Sequence, residues 1–166
     1  MDQTLKRSKT PEQALASLMR LCARREYCTS DARRLLMRWG VERDQHDRIV
    51  ARLCSERFID DRRYAEAYVR EKLKFSAWGS RKIATALRAK HIEREIIEQT
   101  LEQYVSHKES DTRLQTALAR KLRNIKYKDR YDLRGKLLRY GAGLGFDFES
   151  VAECIDNLLK EYDFED

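Results

Sequence analysis

The chain has 166 residues, of which 42% are hydrophobic and 38% charged, and its formal net charge is +7. One proline and six glycines are too few for a turn-rich β-sandwich or barrel, so the composition favours long helices. No apolar run approaches the roughly 18 residues of a membrane span and no apolar signal core follows the basic N-terminus, so we expect a cytoplasmic protein without membrane contact.

The first predicted unit spans residues 11–58 and follows a flexible tail at 1–10. Pro11 suits the first turn of a helix that Thr10 caps, and apolar residues then recur at intervals of three and four. A second helix ends before Gly40, which is a natural helix stop, and a third apolar stripe follows it. The spacing therefore predicts three short helices in this unit.

The apolar pattern of the first unit returns 51 residues later. Seven positions keep their register: Ala14, Leu18, Cys22, Tyr27, Ala32, Leu36 and Val41 match Ala65, Val69, Leu73, Trp78, Ile83, Leu87 and Ile92. Helix lengths and turn positions agree as well, which indicates an internal repeat at 59–107. A looser third unit at 108–166 places Leu138 at the position of Leu36 and Leu87. The sequence thus predicts an all-α fold, an elongated or curved tandem array of three three-helix repeats with about nine helices.

Charge is divided unevenly along the third unit. Residues 113–139 hold ten basic and two acidic residues, whereas 140–166 hold one basic and eight acidic residues. On a helical wheel, four cations share the face opposite the apolar positions: Arg113, Arg120, Arg123 and Lys126. A basic stripe backed by a buried one predicts contact with phosphates, and the alternative is a solvated helix face.

The residues indicate no enzyme, no cofactor and no metal site. None of the three histidines has metal-ligand spacing, and no P-loop is present. We interpret Gly141–Gly145 as a helix end and turn, and the pair Asp60 and Asp61 as the cap of a helix that begins at Arg62. Each cysteine lies in or beside an apolar stripe, so four free core thiols are predicted: Cys22, Cys28, Cys54 and Cys154.

The most specific stretch of the chain is Phe58-Ile-Asp-Asp-Arg-Arg-Tyr-Ala-Glu-Ala-Tyr-Val69. With Trp78-Gly-Ser-Arg-Lys-Ile83, Leu87 and His91-Ile92, it resembles the RecX family of bacterial recombination regulators. The first unit is similar to the family at Ser30-Asp-Ala-Arg-Arg-Leu35, although an arginine replaces the glutamate that members carry there. The resemblance covers about residues 11–160 and is strongest in the middle unit.

The resemblance implies a row of three-helix repeats that binds the filament of the RecA recombinase. It implies that the protein limits strand exchange and ATP hydrolysis, and that it contacts single- or double-stranded DNA without sequence specificity. We therefore expect a monomeric regulator of homologous recombination and DNA repair, linked to the SOS response, that inhibits the recombinase and ATPase activity of the nucleoprotein filament.

The candidate residues for binding this partner or DNA are basic side chains of the second and third units: Arg62, Arg63, Lys72, Lys74, Arg81, Lys82, Arg88, Arg113, Arg120, Arg123, Lys126, Lys128 and Arg130. An alternative is a helix-turn-helix-like DNA-binding protein, either a transcription factor or a nucleoid-type protein. The second helices of the first two units carry arginine and lysine but no asparagine or glutamine, which favours contact with phosphates over base reading. A purely structural helical adaptor is a third possibility, against which the uneven charge argues.

Overall fold

The structure is a computed structural model that describes residues 8–161, without the side chain of Glu161. These residues form nine α-helices and no strand, so the predicted all-α fold is confirmed. The helices are α1 (Pro11–Cys22), α2 (Thr29–Arg38), α3 (Arg43–Ser55), α4 (Asp61–Phe75), α5 (Ser80–Ala89), α6 (Arg94–Tyr104), α7 (His107–Leu122), α8 (Arg130–Gly143) and α9 (Phe148–Glu161). Among them, no helix is long and apolar enough to cross a membrane.

The helices pack in three groups of three, each around its own apolar cluster. Every helix supplies at least one buried side chain: Leu18, Leu36 and Leu53 in the first cluster, Val69, Leu87 and Ile97 in the second, and Leu118, Leu137 and Ile155 in the third. A group of three short helices buries little surface by itself, so contacts between the groups matter for stability. We keep 11–58, 59–107 and 108–166 as the proposed limits of these units.

The N-terminus of α1 has the predicted cap. The Thr10 side chain accepts from the N–H of Gln13, and the Gln13 side chain accepts from the N–H of Thr10. Most of the tail predicted at 1–10 lies outside the described residues. At its end, Lys9 donates its N–H to the carbonyl of Trp39 at 2.9 Å and its ammonium to the Ser17 hydroxyl at 2.7 Å.

The predicted register is confirmed for the first two units and wrong by one residue in the third. Leu36 and Leu87 are fully buried, whereas Leu138 is only partly buried and Leu137 occupies the core position. Leu36, Leu87 and Leu137 each lie eight residues after the N-cap of their helix. The spacing from Leu87 to its equivalent in the third unit is therefore 50 residues rather than 51. Because successive residues of a helix are turned by about 100°, Leu138 lies at the flank of the core.

The second helix of each unit ends in the same way, with one residue in the left-handed region. Gly40 has φ 68°, His91 has φ 56° and Gly145 has φ 90°. The following N–H then reaches back into the helix, as when Val41 donates to the carbonyl of Leu36. The interpretation of Gly141–Gly145 as a helix end and turn is correct only at its far end, because α8 continues to Gly143 and the turn is made at Gly145.

Only part of the cysteine prediction is correct. Cys28 is fully buried, and Cys22 and Cys154 are partly buried against the apolar clusters. Cys54 is exposed, because it follows the buried Leu53 on α3 and therefore lies on the outer flank of that helix. Within residues 8–161, no group of three or more His, Cys, Asp or Glu side chains is placed to hold a metal ion.

Leu87→Ala is expected to lower the free energy of unfolding by about 2–5 kcal/mol, because truncation of a fully buried leucine leaves a cavity. Leu138→Ala removes the same atoms from a partly buried side chain and should cost less. Urea unfolding followed by circular dichroism measures both changes. Equal losses would contradict the register that places Leu137 in the core.

Candidate partner-binding surface

The Asp60–Asp61 pair joins the first two units. Asp60 caps α4, because its carboxylate accepts from the N–H of Arg63 at 3.0 Å. Asp61 is the first residue of α4, so the helix begins one residue earlier than predicted. The Asp61 carboxylate accepts from the N–H and the hydroxyl of Thr29, both at 2.8 Å, at the start of α2. Since Cys28 gives α2 no side-chain cap, a residue of the second unit caps a helix of the first.

Two ion pairs reinforce this junction. Arg63 donates to the Glu26 carboxylate at 2.7 Å and also to the carbonyls of Arg57 and Phe58. The hydrogen bond to Glu26 raises the pKa of Arg63 above its usual value. Arg63 is a predicted partner-binding residue, and its side chain therefore already forms hydrogen bonds with other residues of this chain.

The second ion pair centres on Asp31 of α2, which is buried. Its Oδ1 accepts from Lys90 at 2.6 Å and from Arg34 at 2.7 Å. Burial raises the pKa of Asp31, but the hydrogen bond and charge of Lys90, aided by Arg34, outweigh burial and hold that pKa below its usual value. Lys90 lies at the end of α5, so this contact again joins the first and second units.

The junction of the second and third units is made mainly by backbone. The N–H of Gly79 donates to the carbonyl of Leu144 at 2.7 Å, and the N–H of Arg81 donates to that of Gly145 at 3.1 Å. A Cβ atom on Gly79 would lie 2.5 Å from the Gly145 oxygen, so the approach requires glycine. The turn at Gly145 thus satisfies the N-terminus of α5, a role that sequence reasoning did not assign to it.

Trp78 lies beside this junction between two lysines. The Nζ atoms of Lys82 and Lys72 lie 4.6 Å and 5.3 Å from the centroid of a Trp78 ring. Lys82 also donates to the carbonyl of Gly143 at 3.2 Å. These two predicted partner-binding lysines therefore make contacts within the molecule.

The remaining candidates of the second unit are more exposed. Arg62 donates to Gln99 at 2.7 Å, and Arg88 donates to the Thr85 hydroxyl at 3.0 Å on the surface of α5. The side chains of Lys74 and Arg81 are exposed. The structure does not bring the second-unit candidates into one cluster, since they divide between the junctions and the outer surface.

The basic stripe predicted on the first helix of the third unit is wrong at two of its four positions. Helix α7 ends at Leu122, so Lys126 lies beyond the helix and does not share its face. Arg113 is half-buried, and its Nε and Nη2 atoms are buried without a hydrogen-bond partner among the described residues. Arg120 and Arg123 are exposed as predicted.

The exposed cations that follow α7 lie in residues 123–131, which run from the end of α7 into the first turn of α8 and which we call the basic loop. It contains Arg123, Lys126, Lys128 and Arg130, all exposed, together with Tyr127 and Tyr131. Tyr131 is 89% exposed and Tyr127 39%. Sequence reasoning missed these rings, although the alternation Lys126-Tyr-Lys-Asp-Arg-Tyr131 was the available signal. Exposed rings among cations are typical of surfaces that bind single-stranded nucleic acid.

Hydrogen bonds hold the backbone of the basic loop in place. Asp129 caps α8 by accepting from the N–H of Asp132 at 2.8 Å, and Lys128 donates its N–H to the Asp132 carboxylate at 3.0 Å. Lys136 donates to the carbonyl of Lys126 at 2.9 Å. In the part of the chain that the structure describes, Lys126 and Lys128 form no ion pair, so their charges face solvent.

Comparison with known proteins agrees with this architecture. The family model for the second three-helix domain of RecX matches residues 60–101, from the cap of α4 into α6. A protein named Regulatory protein RecX from Chlorobium phaeobacteroides is 29% identical over 142 residues, which cover 86% of this chain and 91% of the relative. The protein of the same name from Clostridium acetobutylicum is 29% identical over 118 residues, or 69% and 54% of the two chains. These matches support the assignment of the chain to the RecX family.

A crystal structure of RecX from Lactobacillus salivarius shows the same fold. Its TM-score is 0.77 at 19% identity, and the match covers 90% of this chain and 97% of that one. The chain spans about half the length of the clostridial RecX proteins that it matches. The RecX family model matches the segment that contains Asp61 and Lys90, two of the residues that tie the second unit to the first.

Asp31→Asn is expected to lower stability at neutral pH but not in acid. The pKa of Asp31 is lower in the folded than in the unfolded protein, so its contribution is complete above the unfolded pKa of about 3.9 and is lost as the pH falls through the folded pKa. Urea unfolding at a series of pH values should therefore show wild type and variant converging in acid.

Lys90→Met tests the same ion pair from its other side. The decrease in the free energy of unfolding that this variant causes should also be largest at neutral pH and should shrink in acid, because a protonated Asp31 no longer attracts the ammonium. A difference between wild type and Asp31→Asn that is constant with pH would contradict the assignment.

Proposed function

We propose that this RecX-family chain is a cytoplasmic regulator of homologous recombination that binds the RecA nucleoprotein filament and inhibits its strand exchange and ATP hydrolysis. We propose further that the basic loop contacts DNA. Assignment to the RecX family supports the first statement. The carrying observation for the second is that loop, whose lysines and tyrosine rings are exposed on a backbone that makes hydrogen bonds to Asp132 and Lys136.

Inhibition of ATP hydrolysis requires only binding by this chain. A protein that contacts neighbouring recombinase subunits holds their interface in one geometry, and it shifts the population by its difference in affinity for the two states. A tenfold effect needs a difference of about 1.4 kcal/mol. Three units in tandem can contribute to that difference together, because linked modules raise each other's effective concentration.

The geometry favours this function over a helix-turn-helix DNA reader. A recognition helix presents its N-terminal residues to base edges in the major groove. The N-terminus of α2 is capped by Asp61, and that of α5 contacts the turn at Gly145. On α2, Arg33 is paired with Asp47 and Arg34 with Asp31. We therefore expect any DNA binding to tolerate sequence change.

Lys126→Gln/Lys128→Gln is expected to weaken DNA binding and its salt dependence, because fewer counterions are released on binding when phosphate contacts are lost. The slope of log K against log salt should fall by about 0.7 per contact on single strands and about 0.9 on duplexes. Fluorescence anisotropy with labelled oligonucleotides at several salt concentrations measures both quantities. As a matched control, Arg38→Gln/Arg94→Gln removes two exposed charges from other units.

Tyr131 supplies a second arm of this experiment. Tyr131→Ala should weaken binding to single strands more than to duplexes, since only unpaired bases can stack on the ring, and Tyr131→Phe should keep the single-strand affinity. An unchanged salt slope in the lysine variant would place the DNA surface elsewhere, with Lys74 and Arg81 as the next candidates.

The filament proposal is tested by ATP hydrolysis of a RecA filament on single-stranded DNA at rising concentrations of this protein. We expect inhibition by the wild type and weaker inhibition by Lys74→Glu/Arg81→Glu/Arg88→Glu. These three side chains are exposed, so their replacement spares the junction contacts of Arg63 and Lys82.

Arg38→Glu/Arg94→Glu changes two exposed residues elsewhere and is expected to inhibit like the wild type. Circular dichroism checks that every variant is folded. No inhibition by the wild type would refute the regulator proposal, and full inhibition by the folded triple variant would refute only this choice of surface.

A further inference from the structure

The side chain of Arg113, at the boundary between the second and third units, has buried donor atoms without a partner. Its Nε and Nη2 atoms are buried, and they have no hydrogen-bond partner in residues 8–161. Burial lowers the pKa of Arg113, against the opposing charge of Glu109. A half-buried cation with two buried, unused donors is costly for the fold, so this position requires an explanation beyond packing.

Arg113 lines an open cleft of about 700 Å³ between α4 and α7. Three other cations line the same cleft, namely Arg70, Lys74 and Lys108, and Glu109 is its single acidic side chain. None of the four cations forms an ion pair with a described residue. The cleft therefore holds an excess of positive charge that the surrounding protein does not neutralise.

The unused donors of Arg113 have a definite shape. Nε–H and Nη2–H point in parallel from one edge of the planar guanidinium, which matches two oxygens of a single oxyanion. A carboxylate offers two oxygens and one charge, whereas a phosphate offers further oxygens and charge for the surrounding cations. The arrangement thus suits a phosphate better than a carboxylate.

We propose that the cleft between α4 and α7 binds a phosphate group, which Arg113 holds through two oxygens while Arg70, Lys74 and Lys108 balance its charge. The side chains of Lys74 and Lys108 line the cleft and are exposed, and because Nε and Nη2 of Arg113 are buried, entry of a phosphate requires lining side chains to move aside. Because α4 belongs to the second unit and α7 to the third, a bound phosphate stabilises their contact. The proposal does not depend on filament binding.

Inorganic pyrophosphate is the probe in calorimetric titrations of the full chain, with chloride at matched ionic strength as the reference. In Arg113→Met the dissociation constant should rise at least tenfold. The control Arg120→Met removes an exposed arginine from the same helix and should change it less than twofold. Without pyrophosphate, Arg113→Met should melt at or above the temperature of the wild type, because it removes two buried donors that have no partner.

Arg113→Lys keeps the charge but loses the parallel donors, so it should also bind at least tenfold more weakly, and it serves if Arg113→Met does not fold. A single-stranded oligonucleotide distinguishes the source of the phosphate. If the oligonucleotide displaces pyrophosphate from the wild type and itself binds the Arg113 variants more weakly, the source is nucleic acid; if it does neither, the source is a free phosphate compound. Pyrophosphate binding that is undetectable, or equal in wild type and Arg113 variants, overturns the proposal.

Discussion

The carboxylate of Asp61 is the interaction on which the first half of the molecule depends. It lies at the start of α4 and satisfies both the N–H and the hydroxyl of Thr29 at the start of α2, so one side chain fixes two helices of different units. Such a contact matters in a chain built from three small apolar clusters, since no single core is large enough to hold all nine described helices together. The ion pairs of Arg63 and Lys90 act on the same junction.

The features that the sequence predicts well are those written in local spacing. The intervals between apolar residues are repeated within each helix, so they reveal the units and the shared core position of Leu36 and Leu87. The third unit was misplaced by one residue at Leu138, because its register also depends on the length of the preceding connection. The partner of Asp61 lies 32 residues away in the chain, and no local pattern contains such a contact.

The candidate surface shows the same division. Exposed cations at Arg120 and Arg123 follow from the helical wheel, but the wheel does not show where α7 ends, so it placed Lys126 on the wrong element. Nor does it show that α4 and α7 line a common cleft, which is why Arg113 was expected on an open face. Further along, Arg134 pairs with Asp156 through two hydrogen bonds, so the acidic end neutralises one cation of α8, whereas the basic loop stays an exposed positive region.

The close approach of Gly79 to the turn at Gly145 sets the two junctions apart in their chemistry. The first joint is built from carboxylates and cations, so acid weakens it, and its partly exposed pair of Arg63 and Glu26 is also open to screening by salt. The second joint is built mainly from main-chain N–H and carbonyl groups, which do not titrate, with the Lys82 ammonium as an added donor. Acid or salt should therefore weaken the contacts between the first and second units more than those at the turn of Gly145, so the two ends of one chain are expected to respond differently to the same surroundings.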